Sequence, residues 1–180
     1  MDSFPHLVST IEVNCAMNAA EIHLALNHLP VFGYILFTPL FLYALWKKND
    51  QLLRVSSLFF VLLSVAAIVV FNSGEGAEEI LEQTVDVGDE IIHEHEESAE
   101  ISFWLLSISG LAAALVLALR ASTANLKQYR LLLILGALLV ATSLSSAYTA
   151  HLGGLIRHPE MNASSDTIRI DGVEDEADDD

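Results

Sequence analysis

Seven histidines, His6, His23, His28, His93, His95, His151 and His158, are the side chains of this 180-residue chain best suited to bind a metal or carry a proton near neutral pH. Several stand at helical spacing from carboxylates. Glu75, Glu78, Glu79 and Glu82 follow an i, i+3, i+4, i+7 stripe. Glu90, His93 and Glu97 form another, and Glu90-x-x-His93 has the spacing that carboxylate-bridged di-iron bundles use. His95 lies on a neighbouring stripe, next to Glu96. Glu21 and His28 share a helix face at i,i+7, as His151 and His158 do if their helix continues. Neutral imidazoles with carboxylates suit iron, copper, zinc or manganese. Cys15 is alone, so no internal disulfide and no C-x-x-C-H haem attachment can form. No nucleophile–base constellation or phosphate-binding loop is present, which leaves hydrolase and nucleotide roles without support.

The elements that must position these groups are apolar. The chain is 53% hydrophobic, yet its formal net charge is −16, a combination that suits membrane spans joined to acidic extramembrane parts. Four stretches come close to the roughly 20 residues needed to cross the hydrocarbon core: about Leu29–Trp46, Val55–Asn72, Ile101–Leu119 and Leu131–Tyr148. None contains Asp, Glu, Lys, Arg or His. The expected fold is therefore all-α, a four-helix transmembrane bundle. Lys47, Lys48 and Arg54 lie between spans one and two, and Arg120, Lys127 and Arg130 between spans three and four. By the positive-inside rule these two tight turns are cytoplasmic, and both termini and the long middle loop face outward. All seven histidines then fall outside, and Asp50 is the one acidic residue inside.

Three segments follow. Residues 1–28 form an outward N-terminal interfacial segment, with no basic n-region or cleavage site to mark a signal peptide. Residues 29–160 form the bundle, including a helical acidic hairpin over 73–100 that turns near Gly88. Residues 161–180 form a disordered acidic tail. Pro30 is expected in the first turn of its helix, with Asn27 or His28 near the cap. Gly153-Gly154 either breaks the fourth helix or lets another helix or a flat cofactor approach its backbone. Small residues in spans three and four, among them Ser109, Gly110, Ala113, Gly136 and Ser146, mark packing faces.

Asn27-His28-Leu29-Pro30, Gly74-Glu75-Gly76-Ala77-Glu78, His95-Glu96-Glu97-Ser98-Ala99 and His151-Leu152-Gly153-Gly154 resemble the motifs of an uncharacterised bacterial family of predicted four-span membrane proteins. The resemblance covers roughly residues 21–160. It implies that His28, Glu75, Glu78, His95, Glu96 and His151 act as a set, in a redox or respiratory setting. The chain departs from the family's pattern after the double glycine, where Ile-Arg-His-Pro-Glu replaces an aromatic-rich ending.

Antiparallel spans bring their outer ends into one layer. The leading expectation is an integral inner-membrane protein that binds a transition metal at the periplasmic rim through His23, His28, Glu75, Glu78, His95, Glu96 and His151. One alternative is a b-type haem bracketed by His28 and His151. Another is a non-catalytic subunit whose acidic face docks a basic periplasmic partner. The lipid bilayer is the expected surrounding, with a membrane or periplasmic protein, or a second copy of the chain, as partner. Nucleic acid is excluded by the negative charge. Transport is disfavoured because the spans contain no ionisable residue to mark a path.

Overall fold

A computed structural model describes residues 19–82 and 89–158. They form five helices: α1 (Ala19–Leu26), α2 (His28–Trp46), α3 (Asp50–Glu82), α4 (Asp89–Ala118) and α5 (Leu126–Arg157). α2, α3, α4 and α5 run up, down, up and down, and each is long and apolar enough to cross a membrane. Large apolar side chains cover the outside, with Trp46 and Leu111 each more than 70% exposed. An exterior of that kind suits lipid rather than water. Residues 1–18, 83–88 and 159–180 lie outside the described residues, and with them His6, the hairpin turn and the acidic tail.

α1 and α2 are nearly continuous. Pro30 has no N–H to give the Leu26 carbonyl, so the helical ladder is interrupted there. Asn27 nonetheless keeps right-handed helical angles, and its N–H donates to the His23 carbonyl at 2.8 Å. Pro30 is the third residue of α2, which meets the expectation of a first-turn proline.

Both turns at the basic end close in the same way. Lys48 (φ 52°) and Arg120 (φ 47°) take the left-handed conformation. The Asn49 N–H then reaches the Ala44 carbonyl at 2.8 Å, and the Ala121 N–H reaches Val116 at 3.0 Å. Asn49 Oδ1 accepts from the Leu52 N–H at 3.1 Å as α3 begins, and Asn125 Oδ1 accepts from Lys127 and Gln128 as α5 begins. Asp50 ties the two turns together. It accepts from the Ser122 hydroxyl, and from the N–H and hydroxyl of Thr123 at 3.0 Å each. Asp50 precedes the apolar part of α3. Partial burial pushes its carboxyl pKa up, but these hydrogen bonds and the nearby Arg54 charge outweigh that and hold it below the usual carboxylate value.

The core between the helices is built from Tyr34 and Phe41 of α2, Phe60 of α3, Val116 of α4 and Leu135 and Leu139 of α5. Tyr34 crosses it diagonally, its hydroxyl 2.7 Å from Ser109 Oγ on α4. Small residues do mark close approaches. A Cβ on Gly110 would collide with Ser64 Oγ of α3. Along the α4–α5 seam, Ser98, Ser102, Ser145 and Thr149 join hydroxyl to hydroxyl at 2.7–2.8 Å. Ala141, one of the small residues of span four, is instead exposed.

Candidate functional site

The two ends of the bundle differ in chemistry. Basic residues and Asp50 occupy one, and every described histidine occupies the other. At that second end two histidines turn inward and are half-buried: His23 on α1 and His95 on α4.

Their settings match. His23 Nδ1 lies 3.1 Å from the Val70 carbonyl of α3, with Ser73 Oγ at 3.3 Å. His95 Nδ1 lies 3.1 Å from the Thr149 carbonyl of α5. A carbonyl only accepts, so each Nδ1 carries the proton and donates it. Each Nε2 is then the nitrogen with the lone pair, the form in which imidazole ligates a metal. Four residues beyond each acceptor stands a glycine, and the ring lies over it. A Cβ on Gly74 would sit 3.6 Å from His23 Cε1, and one on Gly153 only 3.1 Å from His95 Cε1. The flat group admitted by the double glycine is thus an imidazole of the same chain. α5 passes through Gly153 and Gly154 without a break.

His95 lies outside the apolar part of α4, on a segment that also carries the exposed Glu90, Glu94, Glu96, Glu97 and Glu100. Its pKa is lowered, chiefly by burial, with the Thr149 carbonyl opposing and the nearby His23 adding to the shift. Asn27, one helical turn beyond His23, has a buried Oδ1 with no hydrogen-bond partner. A buried acceptor left open calls for a donor or a cation that no described side chain supplies.

The other expected ligands are placed differently. His28 is exposed and stacks on Phe32, with ring centroids 5.9 Å apart. Five residues of helix rotate it about 140° from His23, so both cannot face α3. Glu96, one residue from His95, is exposed. His151 is exposed too, because it lies about 200° round α5 from both Thr149 and Gly153, which face His95. The pairing of His28 with His151 around a haem therefore meets two outward-facing rings. Glu75 and Glu78 lie on the extension of α3, as the stripe of glutamates implied, but their side chains are outside the described residues. Among the described residues, no three of His, Cys, Asp and Glu gather closely enough to hold a metal between them. His93 forms a surface pair with Glu97 at 3.3 Å, both side chains about 70% exposed. His158 caps α5, its N–H on the Gly154 carbonyl at 3.0 Å.

Sequence reasoning missed the acceptors Val70 and Thr149 and the hydroxyls of Ser73 and Ser98 around them. Ser98 Oγ holds Thr149 Oγ1 at 2.7 Å and so braces the residue to which His95 is tied. The available signal was a glycine just past the end of each of the second and fourth spans. Comparison with protein-family models, curated proteins and solved structures finds no match to this chain.

Proposed function

We propose that the chain is a bacterial inner-membrane protein that holds a transition-metal ion at the periplasmic rim of its bundle, with His23 and His95 as the imidazole donors. The carrying observation is the pair of half-buried rings whose Nδ1 atoms are each pinned to a backbone carbonyl. Metal-binding histidines are typically oriented and tuned by such an outer bond. With no second thiol available, the donor set suits iron, copper, zinc or manganese. Glu75 and Glu78, on the extension of α3, and Glu96, next to His95, are carboxylates close in sequence to the two seats. The periplasmic assignment rests on the basic residues at the opposite end. A redox or respiratory role is what the family resemblance adds. A b-type haem uses the same imidazole tautomer, and here it would take His23 and His95 rather than His28 and His151.

The test is elemental analysis and absorption spectroscopy of the full chain purified in detergent, with each of the four metals offered during growth. One metal ion per chain, lost in His23→Ala and in His95→Ala, is the expected result. A Soret band in place of a free ion moves the assignment to haem. A chain that retains neither in any condition overturns the reading.

A further inference from the structure

We infer that the chain is two copies of one helical hairpin related by a quasi-two-fold axis along the bundle, and that its rim site is itself two-fold, each copy contributing one imidazole, His23 or His95, to a ligand shared between them. The ligand part of this inference rests on the metal reading above; the two-fold part does not.

Three correspondences carry it. First, 25 residues separate His23 from Lys48, and 25 separate His95 from Arg120; these are the only non-glycine residues of positive φ among those described. The nearly continuous α1–α2 and the single helix α4 thus run the same number of residues from an inward imidazole to a left-handed turn. Second, the chain-reversing bond repeats: the N–H after each left-handed residue reaches back five residues, Asn49 to Ala44 and Ala121 to Val116, and an asparagine caps each following helix, one residue past Lys48 in the first turn and five past Arg120 in the second. Third, the seats repeat. Each returning helix offers a carbonyl to Nδ1 and, four residues on, a glycine beneath the ring. Helix hairpins share turn types for general reasons, but nothing in a turn requires a histidine and its carbonyl–glycine seat to recur at the far end.

The operation that exchanges the copies takes α2 to α4 and α3 to α5. In an up-down-up-down bundle these are diagonal partners, so the axis runs down the core, along the direction in which parallel repeats of membrane proteins are related. Tyr34 spans that diagonal, from α2 to Ser109 on α4. At the histidine end the same axis passes between His23 and His95. A ligand on it receives one nitrogen from each hairpin and keeps its remaining positions open. An open coordination sphere of this kind is what a metal needs in order to take a further ligand, in contrast to a closed four-ligand structural site. Residue identities have diverged almost everywhere else. Phe32 and Trp104, each nine residues past the histidine, are among the few similar side chains that occupy matching stations.

Two measurements on the full chain in lipid nanodiscs test this. In a Cys15→Ser background, His23→Cys with His95→Cys should be joined within one chain by a short bismaleimide, detected by peptide mass mapping. His28→Cys with His95→Cys should be joined at least fivefold less. Equal or reversed yields overturn the two-fold pairing, whatever the metal result. In the unaltered chain, Cu(II) titration should saturate at one ion, and His23→Ala and His95→Ala should each weaken it at least tenfold and to within about threefold of each other. Two ions, each removed by one substitution only, or an effect of one histidine alone, overturns the shared ligand. A good cross-link with no ion bound refutes the metal reading and the shared ligand while sustaining the hairpin repeat.

Discussion

Replacing Gly153 by alanine separates two effects that oppose each other. A Cβ there would lie 3.1 Å from His95 Cε1, 3.6 Å from Nδ1 and 3.9 Å from Nε2. Carbon pairs sit best at about 3.5–4.0 Å, so the ring must retreat by roughly half an ångström. The Nδ1–Thr149 contact is already 3.1 Å, and that retreat carries it past hydrogen-bond range. The lost bond costs about 1 kcal/mol. Glycine to alanine inside a helix returns about 1 kcal/mol. The expected change in stability is therefore near zero. Gly154→Ala meets nothing within 4 Å, and should stabilise the chain by the full propensity gain of about 1 kcal/mol. Unfolding in detergent, followed by circular dichroism, compares the two variants directly. Metal affinity should fall about 10- to 100-fold in Gly153→Ala, as loss of an outer-shell bond typically does, and stay unchanged in Gly154→Ala. If Gly153→Ala gains as much stability as Gly154→Ala and the His95 Nδ1–H signal is unmoved in nitrogen NMR, the seat does not hold the ring and the argument fails.

Asp50→Ala removes three hydrogen bonds that couple the two basic turns, and should cost about 2 kcal/mol, read from the denaturation midpoint. Because the Asp50 pKa is lowered on folding, its contribution is present above the ordinary carboxylate value and fades as pH falls below it; the alanine variant should lack that acid-labile component. His95 follows the same sign, since its folded pKa also lies below the unfolded one. Stability should decline as pH drops from about 6.5 toward the lower folded value, and His95→Gln should flatten that slope in unfolding curves taken between pH 5 and 7. Lys48→Gly and Arg120→Gly relieve a left-handed backbone at two matching turns and should each raise stability by about 1 kcal/mol; a loss on either would mean that the side chain, not the backbone, holds the turn.

Much of the scaffold was legible because bilayer thickness is written in run length. Four apolar stretches, two basic turns and a proline three residues into α2 all read directly from spacing. The facing of individual histidines was not legible, and the reason is geometric. His23 and His28 flank the interruption caused by Pro30, and which of them points inward depends on α1 packing against α3, a contact across some 50 residues of chain. His151 opens the His-Leu-Gly-Gly motif, yet the inward face of α5 there belongs to Thr149 and Gly153. A glycine is also ambiguous as a letter: Gly153 read as a helix breaker or a cofactor gap, and it is the floor under a ring.

The hydroxyl seam between α4 and α5 bears on how the protein enters the bilayer. With each helix inserted alone, Ser102 of α4 and Ser145 of α5 have no hydroxyl partner from another helix and must turn to a carbonyl of their own helix, as Ser56 and Ser57 do. Inserted as a pair, the helices arrive with Ser102 and Ser145 already joined at 2.7 Å and Thr149 closing the chain toward the surface. Delivering the two helices of the second hairpin together forms these bonds on entry, a gain of roughly 0.6 kcal/mol for each bond across helices.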